Sequence, residues 1–137
     1  WIIISTHRMM YTAQLLEVGD YKVSLGLREN LEPLLRKYKV NLFLVGHQHS
    51  YERIAPVYNG TIVEKGTVHL TVGSAGATHE KGGFKNKSWS VKHVDDYGYI
   101  RLDANSSQIF IEFIRTNKHG NVSAGQVWDS VIIPRWV

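Results

Sequence analysis

The stretch Val40-Asn41-Leu42-Phe43-Leu44-Val45-Gly46-His47-Gln48-His49 decides how the rest of the chain is read. Its first six residues are a strand-sized, largely apolar run, the pattern of a strand covered on both faces. The run stops at a glycine and two histidines. Upstream, Trp1 to Ser5 has the same continuously apolar, β-branched character and stops at Thr6-His7. Between the two runs, Leu27, Leu31, Leu34, Leu35 and Tyr38 recur at the spacing of one helical face. Pro33 lies inside that pattern, so the helix either kinks there or begins near Pro33 with Leu27 to Glu32 as a looser turn. Arg8 to Ser24 shows no clear period. Strand, helix and strand predict a right-handed parallel crossover, and loops leaving adjacent parallel strands converge beyond their carboxyl ends. His7, His47 and His49 are therefore expected at one sheet edge.

After Arg53 the texture turns to β. Pro56-Val57-Tyr58, Asn59-Gly60 and Thr61-Ile62-Val63 read as a hairpin, because Asn-Gly supplies the positive φ angles of a two-residue turn. Val68 to Val72 reads as a strand running into a glycine-rich loop from Gly73 to Gly83. Strands over Tyr99 to Leu102, Gln108 to Thr116 and Val127 to Ile133, with turns at Asp103 to Ser107 and Asn117 to Asn121, make an antiparallel meander. There is no internal repeat and no linker-like stretch. The expected class is α/β (α+β), a partial β-sandwich holding a βαβ unit and a C-terminal meander.

The 137 residues are 43% hydrophobic and lack cysteine, which excludes disordered, coiled-coil and disulfide-scaffold readings. No apolar run approaches the roughly 18 residues of a membrane span, so no membrane partner is expected. The net charge is +4, but Lys and Arg are scattered, and no nucleic-acid partner is expected either. The start at Trp1-Ile2-Ile3-Ile4 reads as a strand entered midway, hence as part of a longer chain. Four of the seven asparagines, Asn59, Asn86, Asn105 and Asn121, begin an N-x-[ST] acceptor where chance gives roughly one. Glycans on those turns and a secreted, extracellular or vacuolar/lysosomal setting follow as expectations.

His47 and His49 serve one site only if the chain turns between them or two metals lie side by side, since an extended strand sends them to opposite faces. Gly46 permits close approach of the backbone to an ion. Arg8 beside His7 is a candidate phosphate clamp. Tyr51, Glu52 and Arg53 are candidates for orienting the imidazoles or for ordinary polar turn contacts. Gly73-Ser74-Ala75-Gly76 is not followed by a helix or a Gly-Lys-Ser/Thr, so it reads as room for a tight turn rather than a P-loop. No serine sits in a nucleophile elbow. His69, His79, His93 and His119 lack partner spacing.

Ile4-Ser5-Thr6-His7-Arg8-Met9-Met10-Tyr11, Leu27 to Val40 and Gly46-His47-Gln48-His49-Ser50-Tyr51-Glu52-Arg53 together resemble the C-terminal half of a purple acid phosphatase catalytic domain, within the calcineurin-like metallophosphoesterases. That family carries V-x-x-H and G-H-x-H as its last two metal motifs, the second often extended to H-S-Y-E-R as here. The resemblance implies that His7 and His47 bind a divalent metal (Zn, Mn or Fe) and that His49 binds Fe(III). It also implies a metal-bound hydroxide attacking a phosphate monoester held between the two ions. Ile4 replaces the motif's valine and Met9 a frequent proline. Some plant members place a substrate-binding histidine about ten residues past the V-x-x-H histidine, and Gln14-Leu15-Leu16-Glu17 has none, so no residue is assigned as catalytic. The D-x-G, G-D-x-x-Y and G-N-H-E motifs precede V-x-x-H in the family. The missing N-terminal part of the same domain is thus an expected partner, and the isolated chain is expected to be inactive. Two alternatives stay open: another calcineurin-like phosphodiesterase or nucleotidase, and a non-catalytic secreted glycoprotein module.

Overall fold

A computed structural model describes residues 1–79, 82–116 and 125–136. The first strand, β1 (Ile3–Ser5), pairs in parallel with β2 (Leu42–Val45), with Ser5 opposite Leu44. Between them run α1 (Val18–Asn30) and α2 (Glu32–Lys37). Pro33 sits in the first turn of α2, where its missing N–H has no intrahelical partner to lose. A helix does begin beside Pro33, at Glu32, but Leu27 to Asn30 is the end of α1 rather than a loose turn. The first half of α1 escapes periodicity because Ser24 is its one fully buried residue.

β3 (Tyr51–Tyr58), β4 (Thr61–Ile62), β5 (Thr67–Val72) and β6 (Ser90–Val94) complete the first sheet. Its order is β1-β2-β5-β3-β4, with β6 also paired to β3. Asn59 and Gly60 adopt the positive φ angles of the expected hairpin turn. Pro56 falls in a register shift between Ile54 and Val57, a position where the ladder needs no N–H from it. The second sheet is the meander β7 (Gly98–Ala104), β8 (Gln108–Arg115) and β9 (Gln126–Pro134). The expected turn at Asn117 to Asn121, with His119, lies outside the described residues. β6 was not anticipated, because Val91 and its neighbours on that strand are exposed and carry no apolar alternation.

Side chains of β2 alternate between two cores. Phe43 and Val45 pack with Met10, Tyr11, Leu35 and Ile54 beneath the helices, while Leu42 packs with Tyr51, Leu70, Ile111, Phe113 and Ile133 between the two sheets. The first sheet is thus the middle of three layers. β1 departs from the expectation of a strand covered on both faces: it is the edge of the sheet, and Ile2 and Ile3 are exposed. The sheet's parallel register brings the carboxyl ends of β1, β2 and β5 side by side, and the histidine-bearing loops leave from the first two.

Candidate metal centre

His7 follows β1 directly, and its carbonyl accepts from the backbone N–H groups of Gly46 (3.3 Å) and His47 (2.9 Å). This clamp brings the two imidazoles together: His47 Nδ1 lies 3.1 Å from His7 Nε2, with ring centroids 4.9 Å apart. The other His47 nitrogen, Nε2, is 2.8 Å from Arg8 Nη1 and 3.0 Å from Asp20 Oδ2, and Arg8 also pairs with Asp20. A guanidinium only donates, so the tautomer with the proton on Nδ1 satisfies the Arg8 and His7 contacts together.

The chain turns after His47, where the N–H of Ser50 reaches the carbonyl of Gln48 at 2.8 Å. His49 therefore does not simply oppose His47 across an extended strand. Its Nδ1 donates to the carbonyl of Thr78 at 2.7 Å, which fixes the tautomer with its lone pair on Nε2, the arrangement of a metal-ligating imidazole. Gly73, at the end of β5, supports this turn. Its N–H donates to Ser50 O, and a Cβ there would lie 1.9 Å from Gln48 O and 2.4 Å from Gly46 O. Gly46 itself has open space where a Cβ would stand.

The remaining candidates are held elsewhere. Glu52 is fully buried and accepts from Thr12 Oγ1 (2.6 Å), Ala13 N (2.8 Å) and Ser90 Oγ (2.6 Å). Tyr51 donates to Asp129 Oδ2 at 2.8 Å, and Arg53 grips the same carboxylate through Nε and Nη2 at 2.7 and 3.0 Å. Burial and the Asp129 bond push the Tyr51 hydroxyl well above its ordinary range. Burial opposes ionisation of Asp129, yet its bonds to Arg53 and Tyr51 outweigh that and hold its carboxyl below the usual value. Asn59, Asn86 and Asn105 are exposed at or near turns, and Asn121 lies outside the described residues.

Sequence reasoning passed over two residues that shape this edge. Asp20 lies in the first turn of a helix with no apolar period, 27 positions from the imidazole it meets. Gly73 stood out as a glycine beside a strand end, but the close backbone approach it allows has no signature in one sequence. Imidazole nitrogen suits a borderline divalent ion such as zinc, so the donors fit in kind. They do not fit in number: among the described residues no group of three or more His, Cys, Asp or Glu is arranged to hold a metal ion. No described helix is long and apolar enough to cross a membrane.

Residues 66–130 match the family described as iron/zinc purple acid phosphatase-like protein C. The chain is 33% identical, over 98% of its length, to "Probable inactive purple acid phosphatase 24" of Arabidopsis thaliana, and covers 23% of that protein. It is 35% identical to human acid phosphatase type 7 over 93% of its length, covering 34% of that protein. The structure of a purple acid phosphatase isolated from yellow lupin (Lupinus luteus) seeds superimposes with a TM-score of 0.83 at 32% identity, over 98% of this chain and 25% of that one. The chain thus covers only 23–34% of the length of these three proteins.

Proposed function

The chain belongs to the purple acid phosphatase family, and on that premise we propose that it is the C-terminal portion of a metallophosphoesterase catalytic domain that hydrolyses phosphate monoesters. The observation that carries this reading is the contact between His7 and His47, two imidazoles delivered to one sheet edge by consecutive parallel strands. In the whole protein His7 and His47 would hold a divalent ion and His49 an Fe(III), with further ligands from the part of the domain upstream. Such a pair of ions, when bound, polarises a phosphate and activates water. The residues of this chain contribute position. Arg8, itself paired with Asp20, fixes the ring of His47, Thr78 fixes that of His49, and Gly73 sets the turn that carries both.

Metal analysis of the intact protein and its single variants tests the assignment. His49→Ala should remove iron and any purple absorption, whereas His7→Ala and His47→Ala should chiefly remove the divalent ion. The same loss in all three would overturn it. The incomplete donor set among the described residues favours one second reading, a glycoprotein module that keeps its imidazoles without turnover. Phosphatase activity of the intact, metal-loaded protein on an aryl phosphate separates the two. A secreted or vacuolar/lysosomal setting belongs to the same proposal, supported by exposed acceptors at Asn59, Asn86 and Asn105. An unglycosylated intact mass from the native secretory host would overturn that part.

A further inference from the structure

A second recess lies along α1, on the helix face that bears Asp20. Ser24 and Arg28 follow Asp20 at four-residue spacing and so share its face, and Arg28 stands roughly 12 Å along the axis from Asp20. Both line a cavity of about 260 Å³ closed by the segment from Thr12 to Leu16 and by Lys85, Lys87 and Trp89. Three of its lining side chains are cationic and none is acidic. The carboxylate tied to this wall, Glu52, is fully buried and consumed by three donors, so it does not neutralise the recess.

The cations are held but not used up. Arg28 is fixed by the bond from its Nε to Met10 O (2.5 Å) and by the Tyr11 ring 4.1 Å from its Cζ, while its two terminal nitrogens meet no carboxylate among the described residues. Lys87 Nζ lies 5.4 Å from the centre of the Trp89 ring. Lys85 is positioned by its backbone N–H, which donates to Ala13 O at 2.7 Å, and its ammonium has no ion-pair partner among the described residues. The indole N–H of Trp89 is buried and unpartnered.

We infer that this recess between α1, the Thr12 to Leu16 segment and the Lys85 to Trp89 segment binds a small molecule through a diphosphate group. A single phosphate carries only about −1.5 to −2 charge at neutral pH, whereas the three cations Arg28, Lys85 and Lys87 match the larger charge of two linked phosphates. The inference does not rest on the phosphatase reading, because binding is measured without turnover and without metal.

Inorganic pyrophosphate is titrated into the protein with a chelator present and at low ionic strength, where surface attraction is not screened away. The expected result is a saturable shift of the Trp89 indole N–H resonance and of the Lys85 to Trp89 amides. Replacing both lysines, Lys85→Ala with Lys87→Ala, should weaken binding roughly tenfold or more. Lys22→Ala, on another face of α1, should change it by less than about twofold. The shifts in the unsubstituted protein keep the inference testable even if the double variant folds poorly. Absence of saturation, equal weakening by Lys22→Ala, or orthophosphate binding as tightly as pyrophosphate would each overturn it.

Discussion

His47-Gln48-His49 and Tyr51-Glu52-Arg53 are separated by one residue, yet the fold uses them in opposite ways. The first triplet lies on a bend beyond β2, where His47 meets His7, Arg8 and Asp20 at a partly exposed edge and His49 meets the carbonyl of Thr78. The second is the start of β3, where every ionisable head group is bonded inside the protein. Tyr51 stacks on Phe113 at 4.1 Å, and with Arg53 it ties the first sheet to the second through Asp129. One block of polar residues therefore contains both partly exposed imidazoles, which the proposed function uses, and a saturated network, which only folding uses.

The comparison breaks most visibly at Asp129. Its side chain is 4% exposed and that of Arg53 14%, so Asp129→Ala leaves a largely buried guanidinium and the Tyr51 hydroxyl without their acceptor. Removing one partner of such a pair costs roughly 3–5 kcal/mol. Urea unfolding should show that loss, and a change below about 1 kcal/mol would place the junction with ordinary surface pairs.

A third kind of imidazole sharpens the contrast. His69 on β5 is 3% exposed, packed between Tyr11 and Phe43 with ring centroids at 5.3 Å, and neither of its nitrogens has a partner among the described residues. Burial first, and the nearby charge of Arg28 second, lower its pKa to about 3. The unfolded chain takes up this proton near pH 6.5 and the folded chain does not, so stability falls as the pH drops through 6.5 towards 3. Between pH 6.5 and 4 the loss is about 3 kcal/mol. His69→Leu should flatten that slope in denaturant midpoints, and an unchanged slope would assign it to other groups.

At Gly73 the first triplet depends on one atom that is absent. Gly73→Ala would drive a methyl group against the carbonyls of Gly46 and Gln48, and the whole turn bearing His47 and His49 must move. Overpacking of this sort costs roughly 1–3 kcal/mol. Amide chemical shifts should change from Gly46 to Ser50 and stay near their original values at Asp129. Shifts confined to Gly73 and its neighbours would show that the turn does not rest on it.

What the sequence disclosed follows from the same division. The apolar runs that became β2 and β5, the Asn59-Gly60 turn and the meander were legible because burial on sheet faces and turn chemistry impose a pattern along the chain. The histidines were legible because strand ends put them at one edge. Val18 to Ser24 was not, since an exposed half-helix has no apolar period to show. Nor was the destination of Tyr51 and Arg53, because Asp129 lies more than 70 positions away and nothing local marks it as their acceptor. Asp20 is hidden for the same reason at shorter range.

The smallest expected effect on folding belongs to the residue with the largest role in the proposed chemistry. His47 is partly exposed, and the pair between Arg8 and Asp20 does not need its imidazole. Truncating it leaves no buried charge alone, so His47→Ala should shift the unfolding free energy by no more than about 0.5 kcal/mol. Metal uptake is a different matter. Neutral imidazole donates a lone pair that alanine cannot replace, and the divalent ion would lose one of the two ligands this chain offers it. Retained stability with lost divalent metal in the intact protein is therefore the expected pairing. A His47→Ala protein unfolding as readily as Asp129→Ala would show that the edge and the junction are one cooperative network rather than two.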